Sequence, residues 1–277
     1  MNILEAVVYG VVQGVAEFLP ISSSGHLALA QNFFGSRSID DLFTFNILLH
    51  FGTLVAVFIM YAADVWQLIK SAFSLLARPF NGKLKQPLNS GEKLFVMLCI
   101  GTLVLIPAAL LSDKVEALSS VSWAIGVLLL INGCMLFVSD RLSRGNEDLE
   151  QSKLRRALYI GLFQLGGVLP GISRSGSTIT GGLFNNLNRK EALRFSFLLS
   201  IPAILGANLL ELVSLDGDLF GAVGISACLA GMAAAALSGI FAIKILNYFA
   251  KKKNFTVFAV YCFAVGMAAI IGDLFIK

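Results

Sequence analysis

Residues 13–26 read Gln13-Gly-Val-Ala-Glu-Phe-Leu-Pro-Ile-Ser-Ser-Ser-Gly-His26. An apolar run stops at Leu19-Pro20, where proline interrupts a helix, and three hydroxyls, a glycine and a histidine follow within six positions. A similar stretch, Pro170-Gly-Ile-Ser-Arg-Ser-Gly-Ser-Thr178, occurs in the second half of the chain. Because the rest of the chain is mostly apolar, we expect these two stretches to form one polar site inside a membrane.

Composition indicates an integral membrane protein. The chain has 277 residues, of which 57% are hydrophobic and only 14% charged, and its mean hydropathy is +0.81. A soluble domain carries about 25% charged residues. The net charge of +4 is small, and no basic patch interleaved with aromatic residues is present, so nucleic acid is not an expected partner.

Apolar runs predict the crossings. Six runs are long enough to cross about 30 Å of hydrocarbon. They lie at roughly 43–63, 93–111, 120–139, 191–213, 219–247 and 255–275. Two further apolar segments, 2–34 and 155–187, are each interrupted by Pro and Gly among hydroxyls. We predict that each is a re-entrant hairpin of two short helices. Non-helical backbone at membrane depth requires burial in protein or a wet cavity, so the two breaks together predict a cavity.

The chain also contains an internal repeat. Residues separated by 150 or 151 positions match, including the glutamines, the serines and the glycines of the two stretches. The matches are Gly10 with Gly161, Gln13 with Gln164, Ile21 with Ile172, Ser22 with Ser173, Ser24 with Ser175, Gly25 with Gly176, and Phe45, Leu48 and Leu49 with Phe195, Leu198 and Leu199. The predicted fold is therefore an all-α polytopic membrane protein, a single membrane domain over 1–277. Its two repeats, 1–140 and 155–277, each have one broken hairpin and three crossings. Since three is odd, the second repeat is inverted relative to the first.

Loop charges predict the orientation. Basic residues gather in the loops near 64–92 and 140–156, at the start of the fourth crossing and before the sixth. The opposite loops carry mainly acidic residues, including Asp40, Asp41, Asp113, Asp216 and Asp218. By the positive-inside rule the basic side is cytoplasmic and both termini lie outside. The first hairpin then enters from outside and the second from the cytoplasm, with their broken tips meeting near the midplane.

Glu17 is the acidic residue deep in the first hairpin, and an intramembrane carboxylate is a functional candidate by default. The alternative is that it reaches the membrane interface. Gln13 lies one turn earlier on the same helix face. It could bond to Glu17, join it in binding an ion, or bond to a neighbouring helix.

Ser22, Ser23 and Ser24 follow the proline break, where a new helix begins and its free amides favour anions. Small residues also allow close helix packing, so serines alone are weak indicators. His26, within about a turn of Ser23, suggests a nucleophile and base, with Glu17 orienting or charging the imidazole. A hydrogen-bonded structural histidine is the alternative.

The second hairpin predicts a phosphate or diphosphate cradle. An arginine at membrane depth requires an anionic partner, and its planar fork suits phosphate oxygens. The expected binding residues are Ser173, Arg174, Ser175, Gly176, Ser177 and Thr178. The segment is not a Walker P-loop, since it lacks the Gly-Lys-Ser/Thr ending. Alternatively, Arg174 only pairs with Glu17.

Three other ionisable residues are left outside the predicted site. His50 matches Ser200 in the repeat, which favours an interhelical hydrogen bond. Glu191 and Glu211 lie near helix ends and are expected to reach water. Two uses of the site remain open: hydrolysis of a lipid phosphate ester or anhydride, or transport of a phosphorylated lipid or solute.

The two quoted stretches closely resemble the signature motifs of the bacterial undecaprenyl-diphosphatase family, also called bacitracin-resistance proteins. Length, span number and repeat fit as well, so the resemblance covers essentially the whole chain. It implies hydrolysis of undecaprenyl diphosphate to undecaprenyl phosphate and inorganic phosphate, which recycles the lipid carrier for peptidoglycan and confers bacitracin resistance. It also implies the bacterial inner membrane, an active site reached from the outer, periplasmic face, and a divalent cation, Mg²⁺ or Ca²⁺. A homodimer is one assembly compatible with the chain.

Carried over by position, Glu17 is the essential carboxylate, and Ser23 and His26 are the candidate nucleophile and its partner. Arg174, with Ser173 and Thr178, holds the diphosphate. Gln13 stands at the first position of the family's Glu/Gln-x-x-x-Glu motif. A neutral amide there argues against a metal site with two carboxylates, so Glu17, with or without Gln13, is the predicted metal ligand. Attack by Ser23, by His26 or by water activated by His26 are the open routes, and a flippase or other carrier is the rival class.

Overall fold

In the computed structural model, described for residues 1–35, 39–143, 145–213 and 223–276, the chain is a bundle of α-helices. The only other regular elements in those residues are a 3₁₀ turn at Leu149–Gln151 and one isolated bridge between Glu147 and Leu187. Arg144, Asp216, Asp218 and the first residues of the crossing predicted at 219–247 lie outside the described residues.

Within the described residues, the first half of the chain has eight helices. They are α1 (Ile3–Phe18), α2 (Ser23–Phe34), α3 (Ile39–Met60), α4 (Ala62–Ala77), α5 (Ser90–Leu103), α6 (Ile106–Ala109), α7 (Ser112–Ser119) and α8 (Ser122–Leu142). The second half has α9 (Arg155–Gly166), α10 (Arg174–Phe184), α11 (Arg189–Val213), α12 (Ile225–Lys251) and α13 (Thr256–Ile276). Both segments predicted to be broken, 2–34 and 155–187, consist of two short helices, and we call them the first and second broken segments.

Five helical stretches of the described residues are each long and apolar enough to cross a membrane. They are Ser90–Ala108, Ser122–Leu142, Arg189–Val213, Ile225–Lys251 and Thr256–Phe275. A sixth candidate is the pair Thr44–Met60 and Ala62–Ala77, which meets the same test jointly but is bent by 93°. The protein is thus a polytopic helical membrane protein, and the count of six crossings stays a prediction.

The stretch predicted as a loop at 64–92 contains a helix, α4. Its exposed side includes Trp66, Phe73 and Leu76, which are 58%, 69% and 70% exposed. Lys70 lies over the Trp66 ring, 5.3 Å from its centroid. A helix that turns by 93° from α3 and exposes large apolar side chains is typical of one lying along a membrane surface. Its length and its lysine kept it out of the predicted crossings.

Packing of the long helices places the broken segments at the centre of the bundle. α1 lies along α12 and α8 along α13, and α3 contacts both α11 and α12. The approach of α1 to α12 is close enough to require glycine: a Cβ on Gly14 would come within 2.3 Å of the Ala235 carbonyl oxygen. In the second half, α9 packs on α5 and α10, and α11 packs on α5 and α10.

Candidate functional site

A serine caps the helix that follows each of the two breaks. Ser22 caps α2 by accepting a hydrogen bond from the Gly25 amide at 3.3 Å, and Ser173 caps α10 by accepting one from the Gly176 amide at 3.1 Å. A serine oxygen satisfies one of the free amides at a helix start. The N-terminal ends of α2 and α10, which favour negative charge, therefore sit at the two breaks.

The broken tips touch each other directly. The Gly171 amide donates to Ser22 Oγ at 3.0 Å. Ser22 has a φ of 72° and Gly171 a φ of 109°, both in the left-handed region. A Cβ on Gly171 would also meet the Ile125 carbonyl oxygen at 2.7 Å. Backbone strain at a non-glycine residue such as Ser22 costs about 1–3 kcal/mol and is concentrated at functional sites.

Glu17 is the centre of the polar cluster. The Ser23 hydroxyl donates to Glu17 Oε2 at 2.7 Å, and the Gln13 amide Nε2 donates to the same oxygen at 3.1 Å. The Arg174 guanidinium donates to the other oxygen, Oε1, in a charged hydrogen bond. The structure thus brings together Gln13, Glu17, Ser23 and Arg174, of which Glu17 and Arg174 are 157 residues apart in the chain. Arg174 therefore pairs with Glu17, which the sequence analysis gave as the alternative to a phosphate-binding role.

His26 does not contact Ser23 in the structure, contrary to the expected nucleophile–base pair. Its Nδ1 lies 2.7 Å from the Ser22 carbonyl oxygen, which can only accept, so Nδ1 carries the proton of the neutral ring. Its Nε2 then accepts a hydrogen bond from the Tyr261 hydroxyl at 2.8 Å, and the two rings are stacked. Both ring nitrogens of His26 are thus bonded to groups other than Ser23, because the His26 side chain lies on the side of α2 that faces α13.

His50, which the sequence left outside the site, lies beside Glu17. Its Nε2 is 3.8 Å from Glu17 Oε2, and its side chain is 32% exposed toward the cavity described below. Ser200, the equivalent position in the repeat, donates its hydroxyl to the Phe197 carbonyl oxygen at 2.6 Å in its own helix. The polar contact of His50 with another helix is with Glu17, inside the site from which the sequence had left it out. An imidazole inside an apolar crossing was the signal that could have included it.

A cavity of about 250 Å³ opens onto this cluster. Glu17, Ser22, Ser23, Ser24, Ser173 and Arg174 form its polar wall. Leu105, Ala203 and Ile204 form an apolar wall opposite. Ligand pockets are usually about 300–1,000 Å³, so this volume suits a small charged head group better than a lipid tail.

Four of the expected binding residues lie behind that wall. Ser175 Oγ pairs with Ser173 Oγ at 3.0 Å, and Thr178 Oγ1 pairs with Ser196 Oγ at 2.6 Å. Ser177 is buried against α8, with its Oγ 4.0 Å from the Met135 sulfur, and Gly176 contributes its amide to the Ser173 cap. These residues hold the start of α10 in place and do not line the cavity themselves.

Two more residues of α11, Asn208 and Glu211, line the cavity and were not expected there. Asn208 is buried and donates to the Ile47 carbonyl oxygen at 3.3 Å. Glu211 lies in the last turn of α11, where the sequence suggested only a carboxylate reaching water. Their position in the fold depends on the tilt of α11, which the sequence does not encode locally.

The side chains around Glu17 offer few oxygen atoms that could bind a divalent cation. The described residues contain no group of three or more His, Cys, Asp or Glu side chains arranged to hold a metal. Gln13 Oε1 is buried without a hydrogen-bond partner, and it belongs to the side chain that bonds Glu17. Mg²⁺ commonly uses one or two protein oxygens together with substrate phosphates and water. Glu17 with Gln13 fits a cation of that kind and does not fit a site made of protein ligands alone.

Comparison with known proteins gives a consistent result. Residues 6–268 match the family described as bacitracin resistance protein BacA. An undecaprenyl-diphosphatase of Alkaliphilus metalliredigens is 37% identical over 278 residues, covering 99% of this chain and 100% of the relative. Relatives with the same name from Methanobrevibacter smithii and Methanosphaera stadtmanae are 36% and 39% identical, each covering at least 98% of both chains. Matches of this extent show that the chain belongs to the BacA family.

Proposed function

We propose that this protein is an integral membrane phosphatase that hydrolyses undecaprenyl diphosphate to undecaprenyl phosphate and inorganic phosphate. The observation that carries the proposal is the bonding around Glu17: one carboxylate accepts the Ser23 hydroxyl and pairs with Arg174, on a cavity wall made by two helix starts. A nucleophile, a base and an anion-binding group are thereby within reach of one small cavity. The names of the relatives point to the same substrate.

Arg174 and the amides at the starts of α2 and α10 bind the terminal phosphate. The guanidinium offers paired donors to phosphate oxygens, and the helix starts add partial positive charge. An entering diphosphate competes with Glu17 for Arg174. As Arg174 turns to the phosphate, Glu17 loses its charged partner and becomes a better proton acceptor. Binding of the substrate thus activates the base.

Ser23 Oγ attacks the terminal phosphorus, and its proton passes to Glu17 Oε2, to which it is already hydrogen-bonded. The bond from that phosphorus to the bridging oxygen breaks, and undecaprenyl phosphate leaves with the bonding electrons. Water then attacks the phosphoserine, Ser23 Oγ recovers a proton, and inorganic phosphate leaves. Arg174 stabilises the charge that develops on the phosphate oxygens in both steps. Attack by His26 has no support in the observed contacts, because both of its ring nitrogens face away.

A divalent cation, Mg²⁺ or Ca²⁺, would enter with the diphosphate and be held by Glu17 and the unpaired Gln13 Oε1. Bound there, it would neutralise part of the negative charge of the diphosphate.

We also propose that the two halves form an inverted repeat of two re-entrant hairpins and six crossings. The reciprocal packing supports this: α1 contacts α12 as α9 contacts α5, and α3 contacts α12 as α11 contacts α5. At each break a serine accepts a hydrogen bond from the amide three residues later, and this shared cap supports it independently. In this arrangement the proposed nucleophile Ser23 and base Glu17 belong to the first broken segment, and the anion-binding Arg174 belongs to the second.

The proposed orientation has the basic face in the cytoplasm, both termini outside and the cavity open to the outer face of the plasma membrane. Contacts between the basic segments support a single basic face. Arg194 of α11 pairs with Asp64 of α4 at 2.6 Å, and Arg189 pairs with Asp140 of α8 at 2.6 Å. In that orientation the enzyme recycles the lipid carrier on the side where envelope polymers are assembled.

The proposal is tested by phosphate release from a polyprenyl diphosphate with detergent-purified protein, with and without a chelator. We expect release by the unmodified chain, loss of at least about 100-fold in Ser23→Ala, and ³²P trapped on Ser23 after rapid acid quench. Binding of the lipid without any release of phosphate would instead favour a carrier. Full activity in Ser23→Ala would remove the phosphoserine route.

A further inference from the structure

Asn132 is a polar residue of α8 that neither the cavity nor the proposed chemistry uses. It lies midway along a candidate span and is completely buried. An amide inside a membrane bundle is unfavourable unless its donors and acceptor are bonded. Its partners therefore indicate why the position is polar.

The side chain bonds to both breaks at once. Asn132 Nδ2 donates to the Pro20 carbonyl oxygen at 2.9 Å, and Asn132 Oδ1 accepts from the Ser173 amide at 3.0 Å. Pro20 lies between α1 and α2, and Ser173 is the residue that caps α10. These backbone groups have no helical partner, and at membrane depth such groups must be bonded within the protein. One amide thus satisfies a freed carbonyl of the first broken segment and a freed amide of the second.

We propose that Asn132 is a positioning residue that fixes the two broken segments in the register that catalysis requires. The inference rests on the proposed function. Ser23 follows Pro20 by three residues and Arg174 follows Ser173 directly, so the bridge sets the nucleophile and the anion-binding group relative to each other. Other bonds also join the two breaks, from the Gly171 amide to Ser22 Oγ and from Ser175 Oγ to the Leu19 carbonyl oxygen at 3.4 Å, but neither satisfies the Pro20 carbonyl oxygen or the Ser173 amide.

A different role for Asn132 is adhesion of α8 to α13, since its Nδ2 is also 3.3 Å from Cys262 Sγ. Thiol sulfur is a weak acceptor, and the two bonds to the breaks are shorter. Cys262→Ala removes the contact with α13, together with a long contact of 3.9 Å from Cys262 Sγ to the Pro20 carbonyl oxygen, and leaves both bonds from Asn132 to the breaks. It is therefore the matched control, and we expect it to retain wild-type kcat/KM.

The activity test compares Asn132→Leu, Asn132→Asp and Cys262→Ala in full-length protein, normalised to the folded fraction from size-exclusion chromatography and thermal melting. We expect Asn132→Leu to lower kcat/KM for polyprenyl diphosphate by about 100-fold, because small misplacements of reacting groups have effects of this size. Asn132→Asp keeps the acceptor for the Ser173 amide in a side chain of nearly equal volume, so its loss should be smaller. Retention of kcat/KM within about threefold by folded Asn132→Leu would overturn the proposal.

A second readout does not depend on activity. Amide hydrogen exchange should speed up in peptides covering residues 18–25 and 169–176 of Asn132→Leu, and only in the peptide covering 18–25 of Asn132→Asp, which keeps the acceptor for the Ser173 amide. It should not change in Cys262→Ala. If the unmodified chain releases no phosphate but this exchange pattern is found, the enzymatic proposal fails while the bridging role stands. Unchanged exchange at both breaks overturns the role of Asn132 whatever the activity. If Asn132→Leu does not fold, the near-isosteric Asn132→Asp decides through exchange at 18–25, where unchanged exchange overturns the proposal.

Discussion

Replacing Glu17 by Gln keeps the size of the side chain and removes its charge, which separates two roles of this residue. In the absence of substrate, Glu17 pairs with Arg174; their side chains are only 7% and 16% exposed. Removing one partner of a buried ion pair costs about 3–5 kcal/mol. Because Arg174 lines a cavity that water can enter, we expect a smaller loss of unfolding free energy, about 1–3 kcal/mol.

The same substitution should improve phosphate binding while stopping catalysis. In Glu17→Gln nothing charged competes for Arg174, and a negative charge near the phosphates is gone. A unit charge about 6 Å away at an effective dielectric constant of about 20 contributes roughly 3 kcal/mol, and cavity water reduces this further. We expect roughly tenfold tighter binding, equivalent to about 1.4 kcal/mol. Loss of the base should slow hydrolysis by about 10²–10⁴-fold.

The assay measures the Kd of a methylene-bridged polyprenyl diphosphonate in chelator, so that the loss of a metal ligand does not obscure the result. Turnover with Mg²⁺ and thermal stability are measured on the same preparations. Glu5→Gln, on the same helix but remote from the cavity, controls for the loss of a negative charge. Weaker binding by Glu17→Gln in chelator would show that Glu17 and phosphate do not compete for Arg174. Turnover at the wild-type rate would refute its role as the base.

Three further predictions concern the tips, the second histidine and the loop that contains Glu147. Gly171→Ala should destabilise the fold by about 1–3 kcal/mol in thermal or denaturant unfolding, since its φ of 109° is unfavourable for alanine and the new Cβ would meet the Ile125 carbonyl oxygen at 2.7 Å. His50→Gln should lower kcat by about tenfold with little change in melting temperature, since the imidazole Nε2 lies 3.8 Å from Oε2 of the carboxylate that we propose as the base. The hydrogen bond from Arg156 lowers the pKa of Glu147 from 4.5 to about 2, so the carboxylate stabilises the fold above pH 4.5 and this contribution is lost as pH falls toward 2. Glu147→Gln should therefore melt lower than wild type at pH 6, and the gap should close on acidification.

Each of these has a definite contrary result. A wild-type melting temperature in Gly171→Ala would mean that the tip can relax around a side chain. An unchanged kcat and pH–rate profile in His50→Gln would mean that His50 lines the cavity without contributing to the reaction. A constant gap in melting temperature between pH 6 and pH 3 would mean that the ion pair at Glu147 does not contribute to stability.

The helical framework could be predicted from residue pattern because the signals are local. The break after Phe18 and the start of α2 at Ser23 follow from one proline and a capping serine, and the same holds for α10 at Arg174. The end of α3 at Met60 and the turn into α4 carry no such signal. The two helices jointly meet the hydropathy criterion for a span, so composition does not reveal the 93° bend between them, which depends on packing.

The site was predictable in part. Gln13, Glu17, Ser23 and Arg174 meet because the two breaks meet, which the repeat indicated. The sequence placed His26 in the site and left His50 outside it. In the structure His50 lies near Glu17, and His26 does not contact Ser23. Closeness in sequence suggested that His26 would reach Ser23, but the rotation of α2 turns its ring toward Tyr261. His50 comes from α3, and only the crossing of α3 near α1 brings it to Glu17.

The ion pair between Glu17 and Arg174 has a consequence for inhibitor chemistry. In the structure the Arg174 guanidinium is already paired with the Glu17 carboxylate of the same site. A simple phosphate mimic must displace that carboxylate and leaves it beside another anion. A compound that carries both a phosphonate and an ammonium group could replace this ion pair with two new ones, between Arg174 and the phosphonate and between Glu17 and the ammonium group. Zwitterionic aminophosphonates attached to a short isoprenoid tail are therefore better starting compounds for this cavity than diphosphonates.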